Sequence, residues 1–205
     1  MKSMFRQGLA MAVLSAMLVA VSVISMGIGA VSIPAGDVAA VLLSHIQIPV
    51  GGTVDAIHDT IVWDIRLPRT VLTILVGAAL ATSGGVMQGF FQNPMADPYI
   101  VGISAGAALG ATTAFALGLD IWFFGLSAVS ILAFVCALAV TFIVYMLSRR
   151  RGRVATGTLL LTGIALGSLA ASVTSFFLVM GGEDQRTILF WLMGSFSASR
   201  WDHII

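Results

Sequence analysis

The sequence predicts an all-α integral membrane protein, a multi-span helical bundle forming one transmembrane domain over residues 1–205. Three observations carry this. Of the 205 residues, 59% are hydrophobic and 9% charged, whereas soluble domains carry about 25% charge. A chain so poor in charge cannot cover its surface in water, so lipid is the solvent for much of it. The apolar runs also reach roughly 20 residues or more, enough to cross a hydrocarbon core. Finally, the runs lack the apolar/polar alternation of barrel strands, and only helices or closed barrels satisfy the backbone in lipid.

Five spans follow in order, near 8–33, 70–91, 99–119, 121–147 and 154–180. The first lies behind Lys2 and Arg6. Its length, about 25 residues, exceeds the 7–15 of a signal-peptide core, so it reads as a span. A short apolar piece at 187–196 cannot cross alone. The longest connection, 34–64, carries Asp37, Asp55, Asp59 and Asp64, and S-R-R-R-G-R at 148–153 is a basic cluster.

Basic residues set the orientation. With the N-terminus in the cytoplasm, Lys2 and Arg6 lie inside. After an even number of crossings, so do Arg149, Arg150, Arg151 and Arg153. The 34–64 segment, Asp120, Glu183 and Asp184 then lie outside. Trp63, Trp122 and Tyr145 fall near span ends, as an interfacial aromatic belt requires. Arg66 and Arg69 stand at the outer mouth of the second span, either snorkelling to headgroups or presenting charge to an acidic partner.

Small residues recur four apart at Gly85 and Gly89, at Gly102, Gly106 and Gly110, and at Gly163 and Gly167. Such spacing lets helix backbones approach closely in lipid, so these glycines are candidates for helix packing. The link F-Q-N-P-M-A-D-P at 91–98 has two prolines, which disfavour helix at Asn93 and Asp97. Gln88 and Asn93 there either satisfy freed backbone groups or line a passage.

Several function classes are disfavoured. The net charge of +1 gives no reason to expect a nucleic-acid partner. His45, His58 and His203 lack metal-ligand spacing, and the single cysteine, Cys136, lies in an apolar run. No metal site, cofactor or enzymatic activity is expected. There is no G-x-x-x-x-G-K-[ST] loop, so ATP hydrolysis would belong to another subunit. The spans lack ionisable residues, which weighs against an ion- or proton-coupled carrier. A non-transporting membrane scaffold is the other alternative.

Particular strings are more specific. W-D-I-R-L-P-R-T (63–70), G-A-A-L-A-T-S-G-G-V-M-Q-G-F-F-Q-N-P-M-A-D-P (77–98), V-G-I-S-A-G-A-A-L-G (101–110), L-L-L-T-G-I-A-L-G (159–167) and W-L-M-G-S-F (191–196) occur in this order. Together they resemble the permeases of the iron-siderophore, haem and vitamin B12 ABC importers (the FecCD type). The resemblance implies a permease of about ten helices working as a dimer, with alternating access driven by two cytoplasmic ATP-binding subunits. An extracytoplasmic binding protein would deliver a metal chelate. It implies the cell membrane as location, Arg66 and Arg69 as docking residues for that binding protein, and Thr156 and Gly157 as a cytoplasmic gate. Gly157 departs from the Thr-Ser pair of the vitamin B12 branch. The family pattern continues beyond Ile205 for about five helices, so the expectation is the N-terminal half of a permease, unable to transport alone.

Overall fold

The computed structural model describes residues 2–48, 55–123, 125–150, 153–182, 185–197 and 199–201. Its helices are α1 (Lys2–Gly27), α2 (Ala35–His45), α3 (Ala56–Phe91), α4 (Ile103–Ala116), α5 (Ala128–Ser148), α6 (Thr156–Met180) and α7 (Gln185–Met193). Two antiparallel two-residue ladders interrupt them. Trp122–Phe123 pairs with Leu126–Ser127 before α5, and Arg149–Arg150 with Arg153–Val154 between α5 and α6. Contacts divide the chain into two units, residues 1–76 with 196–205 and residues 77–195.

Among the described residues, four helices are long and apolar enough to cross a membrane: Met4–Gly27, Ala56–Phe91, Ala128–Ser148 and Thr156–Met180. At most 17% of their apolar windows is buried within the chain. Apolar residues facing outward on this scale require lipid or further protein around them.

The expected boundaries need correction in four places. The first span ends at Gly27, and α2 forms separately behind Pro34, whose carbonyl accepts from Asp37 and Val38 N–H. The second begins at Ala56, well before Thr70, because the helix runs through Pro68. Residues Thr60–Arg66 form a wide π turn there. Proline has no N–H and its ring crowds the carbonyl four residues back, and a π turn just ahead accommodates both. The third span is a helix of only 14 residues, about 21 Å long. Gly102, at φ +83°, separates it from a 3₁₀ turn at Pro98–Val101. The fourth starts at Ala128, where the Ser127 side chain caps the helix by accepting from Ser130 N–H.

In the first unit, Met26, Ile33, Val38, Val41 and Val62 form a core, with Leu42, Trp63 and Leu67 packed against it. The π turn also explains a long-range bond. Leu67 N–H bonds Val62 O, and Pro68 has no N–H, so Trp63 O loses both donors that helix geometry would supply. The indole N–H of Trp201 donates to it instead, at 3.1 Å.

In the second unit α4 is the buried helix, packed on α5 and α6, with Gly106, Gly110, Ala111, Thr112 and Ala114 shielded. A Cβ on Gly110 would stand 2.2 Å from Leu132 O, and one on Gly106 2.9 Å from Cys136 O. A Cβ on Gly163 would meet Ile100 O at 2.7 Å. A Cβ on Gly102 would stand 3.2 Å from Gly163 O and 3.6 Å from the Gly167 Cα. Gly102 is thus both the left-handed cap of α4 and a close-packing position against α6. Gly85 and Gly89 have no described atom within 4 Å of a Cβ position, so close packing is not made there among the described residues.

This contrast is testable. Gly110→Ala should lower the thermal stability of the purified chain by about 1–3 kcal/mol, the usual cost of overpacking. Gly85→Ala should be neutral or slightly stabilising, since alanine is the better helix former. Equal effects of the two would show that the α4–α5 contact does not require glycine.

Candidate functional site

Arg66 and Arg69 lie one turn apart on α3, and both are half-buried. The Arg66 guanidinium donates to Met26 O, in the last turn of α1, and to Val31 O in the loop beyond. The last carbonyls of a helix have no intrahelical donor and carry its negative dipole end, so a cation is favoured there. Gly29 makes the approach possible, since a Cβ on it would stand 2.7 Å from Arg66 Nη2. Arg69 donates through Nε to Phe196 O at 3.1 Å and through Nη2 to Ser197 O at 2.9 Å. The two arginines therefore tie α3 to the loop after α1 and to the segment after α7. Among the described residues, neither has a carboxylate within ion-pair distance.

The acidic connection ahead of these arginines is folded. His45 Nε2 meets Asp59 Oδ1 at 2.9 Å, and His58 Nδ1 meets Asp37 Oδ2 at 2.9 Å, joining α2 to the start of α3. The His45 ring also stacks on Trp63, with centroids 3.8 Å apart and planes at 7°. Sequence reasoning missed these pairs. Asp37 and His45 are eight residues apart and so share a face of α2, but their partners come from another helix. No group of three or more His, Cys, Asp or Glu residues able to hold a metal occurs among the described residues.

Gln88 and Asn93 are exposed at the end of α3. There Gln92, at φ +49°, takes the left-handed position that terminates a helix. Asn93 N–H bonds Gln88 O at 3.2 Å and Gln92 N–H bonds Gly89 O at 3.4 Å, the paired bonds of a Schellman motif. Asn93 Oδ1 accepts from Met95 N–H at 2.9 Å, and Asp97 Oδ1 accepts from Tyr99 N–H at 2.7 Å. The Asn93 side-chain oxygen thus serves the local turn.

Thr156 and Gly157 open α6, directly after the Arg153–Val154 strand, and both are exposed. No described atom lies within 4 Å of a Cβ position on Gly157. Of the basic cluster, Arg151 lies outside the described residues, as do Glu183 and Asp184 of the acidic loop and His203.

The model of the FecCD transport family matches residues 17–205. The cobalamin import system permease protein BtuC of Halobacterium salinarum is 47% identical over 146 residues, 71% of this chain and 38% of that protein. The vitamin B12 import system permease protein BtuC of Klebsiella pneumoniae is 38% identical over 161 residues, 77% of this chain and 46% of that protein. YvrB of Bacillus subtilis, named as an uncharacterized ABC transporter permease protein, is 37% identical over 155 residues, 75% of this chain and 44% of that protein. A solved structure assigned to the metal-chelate type of ABC transporter, in an inward-facing conformation, superposes with a TM-score of 0.72 at 29% identity. The superposition covers 92% of this chain and 54% of that one. The chain thus spans less than half the length of these curated relatives.

The Gly29–Arg66 contact yields a thermodynamic cycle. Arg66→Met and Gly29→Val should each destabilise the purified chain by about 1–3 kcal/mol, the range for hydrogen bonds to a charged group. The double variant should lose no more than the worse single one, because both act through the same bonds. Additive losses would show that Gly29 does not act by admitting the guanidinium.

Proposed function

Because this chain belongs to the FecCD transport family, we propose that it forms the N-terminal half of the permease of an ATP-driven importer for a metal chelate. The observation that carries this is the ordered match along residues 17–205, combined with apolar helices whose outer faces lack cover in the chain. Cobalamin is the first substrate to test, since two of the relatives described above are named for it. Ferric siderophores and haem are the other chelates the family resemblance suggests. The partners would be cytoplasmic ATP-binding subunits, an extracytoplasmic binding protein, a second permease copy and the rest of the transmembrane domain.

In this reading Arg66 and Arg69 receive acidic side chains of the binding protein. Each guanidinium has five N–H donors and spends two on backbone carbonyls, so donors remain for a carboxylate. Thr156 and Gly157, at the exposed start of α6, form the cytoplasmic gate, and Gln88 and Asn93 border the passage. The inward step would be alternating access, with nucleotide bound on partner subunits moving the helices. Chelate would move without covalent chemistry.

Isolation of a tagged chain together with its partners tests the assembly. The wild type should retain both the ATP-binding subunit and the binding protein. Arg66→Glu with Arg69→Glu should lose the binding protein, with affinity down by roughly a hundredfold, and keep the ATP-binding subunit. Wild-type docking should also weaken as salt screens the charges. Unchanged docking by the double variant removes the arginines from this role, and failure to retain any ATP-binding subunit removes the importer reading.

The N-terminus is proposed to lie in the cytoplasm of a cell-membrane protein. This counts α1, α3, α4 and α5 as crossings, although α4 has only 14 residues. A cysteine at Arg149, with Cys136 replaced by alanine, reports the parity. It should resist an impermeant thiol reagent in intact cells and react after permeabilisation. Labelling in intact cells would mean either that α4 does not cross or that the chain is inverted.

A further inference from the structure

The first unit contains a cleft of about 550 Å³ between α1 and the first half of α3. Ligand pockets commonly run from roughly 300 to 1,000 Å³. Arg66, Arg69 and Gly29 lie at one end. Leu18 lies about two turns and Val21 about one and a half turns back along α1 from the Met26 contact, and Ile74 about two turns onward along α3 from Arg66. The charged groups lie where α1 terminates, and along the two helices the lining mixes these apolar side chains with the hydroxyls of Ser22, Ser25, Thr70 and Thr73.

Charge completes the picture. Two half-buried guanidiniums share this cleft, and no described carboxylate pairs with either. Backbone carbonyls satisfy some of their N–H groups but leave both formal charges in place. A cation beside hydrocarbon without a counter-ion is costly, so an anion from outside the chain is favoured. An anion with an apolar tail fits the lining better than a bare one.

We propose that this cleft binds an anionic phospholipid, its headgroup phosphate on Arg66 and Arg69 and the upper part of one acyl chain along Leu18, Val21 and Ile74. Guanidinium suits this role, because its planar fork matches phosphate oxygens two at a time. The lipid would enter from the bilayer side, whereas the acidic partner proposed above would approach from water. Both ligands would draw on the same two guanidiniums, so lipid and docked partner would compete, and the chain on its own reads the lipid site without that competition.

The test uses the purified chain alone in phosphatidylcholine nanodiscs doped with spin-labelled phosphatidylglycerol or spin-labelled phosphatidylcholine. Each arginine near an anionic lipid is worth about fivefold in association. The immobilised label should thus favour phosphatidylglycerol by roughly five- to thirtyfold. Arg66→Gln with Arg69→Gln should reduce this to about twofold or less. That variant also removes the cap on α1, so a second one is needed. Ser25→Trp fills the cleft and leaves both arginines on their carbonyls, and it should abolish the preference as well. No phosphatidylglycerol preference in the wild type overturns the proposal. A preference that survives Ser25→Trp also overturns it, because general surface charge then suffices. Displacement of the label by inorganic phosphate would show a soluble-anion site and overturn the lipid assignment.

Discussion

A bilayer offers no water to a peptide group left open at the end of a helix, and this chain closes its breaks with groups of its own. At the end of α1, Arg66 reaches across to Met26 O and Val31 O. At the end of α3, Gln92 adopts a left-handed conformation so that two N–H groups can turn back onto the helix, while Asn93 and Asp97 accept from the N–H groups that follow. Pro68 withholds a donor from the π turn, and Trp201 supplies one from a distant part of the sequence. Arg66, Asn93, Asp97 and Trp201 are explained by this requirement. Their placement follows from the solvent before any question of transport arises.

The fold class was legible because it depends on composition and run length, which packing does not alter. Thr156–Met180 begins two residues inside its expected bounds for the same reason. Where packing or local geometry decides, the sequence was less informative. Proline at 68 reads as a helix boundary, yet the helix passes through it by widening one turn. Gly102 belongs by spacing to the same row as Gly106 and Gly110, but its φ of +83° places it at the cap of α4. Gly85 has the same spacing to Gly89 as Gly106 has to Gly110, and only the second pair meets another backbone. Spacing shows that a helix could be approached closely. It does not show where a neighbouring helix lies.

The candidate site divides in the same way. The arginines stood out because charge is scarce at a membrane boundary. Their carbonyl partners could not be seen, because backbone acceptors carry no sequence signal. The His45–Asp59 and His58–Asp37 pairs were hidden for a different reason. They need α2 to fold as a helix between two spans, in a stretch whose aspartates read as a solvated connection. For the importer proposed above, these pairs make the outer connection a folded element. The arginines then sit beside an organised surface.

The depth at which α4 is seated has a mechanical consequence. At Gly110 its backbone rests against the Leu132–Ala133 backbone of α5, and Ile100 O and Val101 rest against Gly163 of α6. Contacts between side chains can yield by changing rotamer, whereas contacts between main chains can yield only by separating. The three helices therefore resist shear and respond to force as one stiff block. The short two-residue ladders join consecutive helices within this block and close it further.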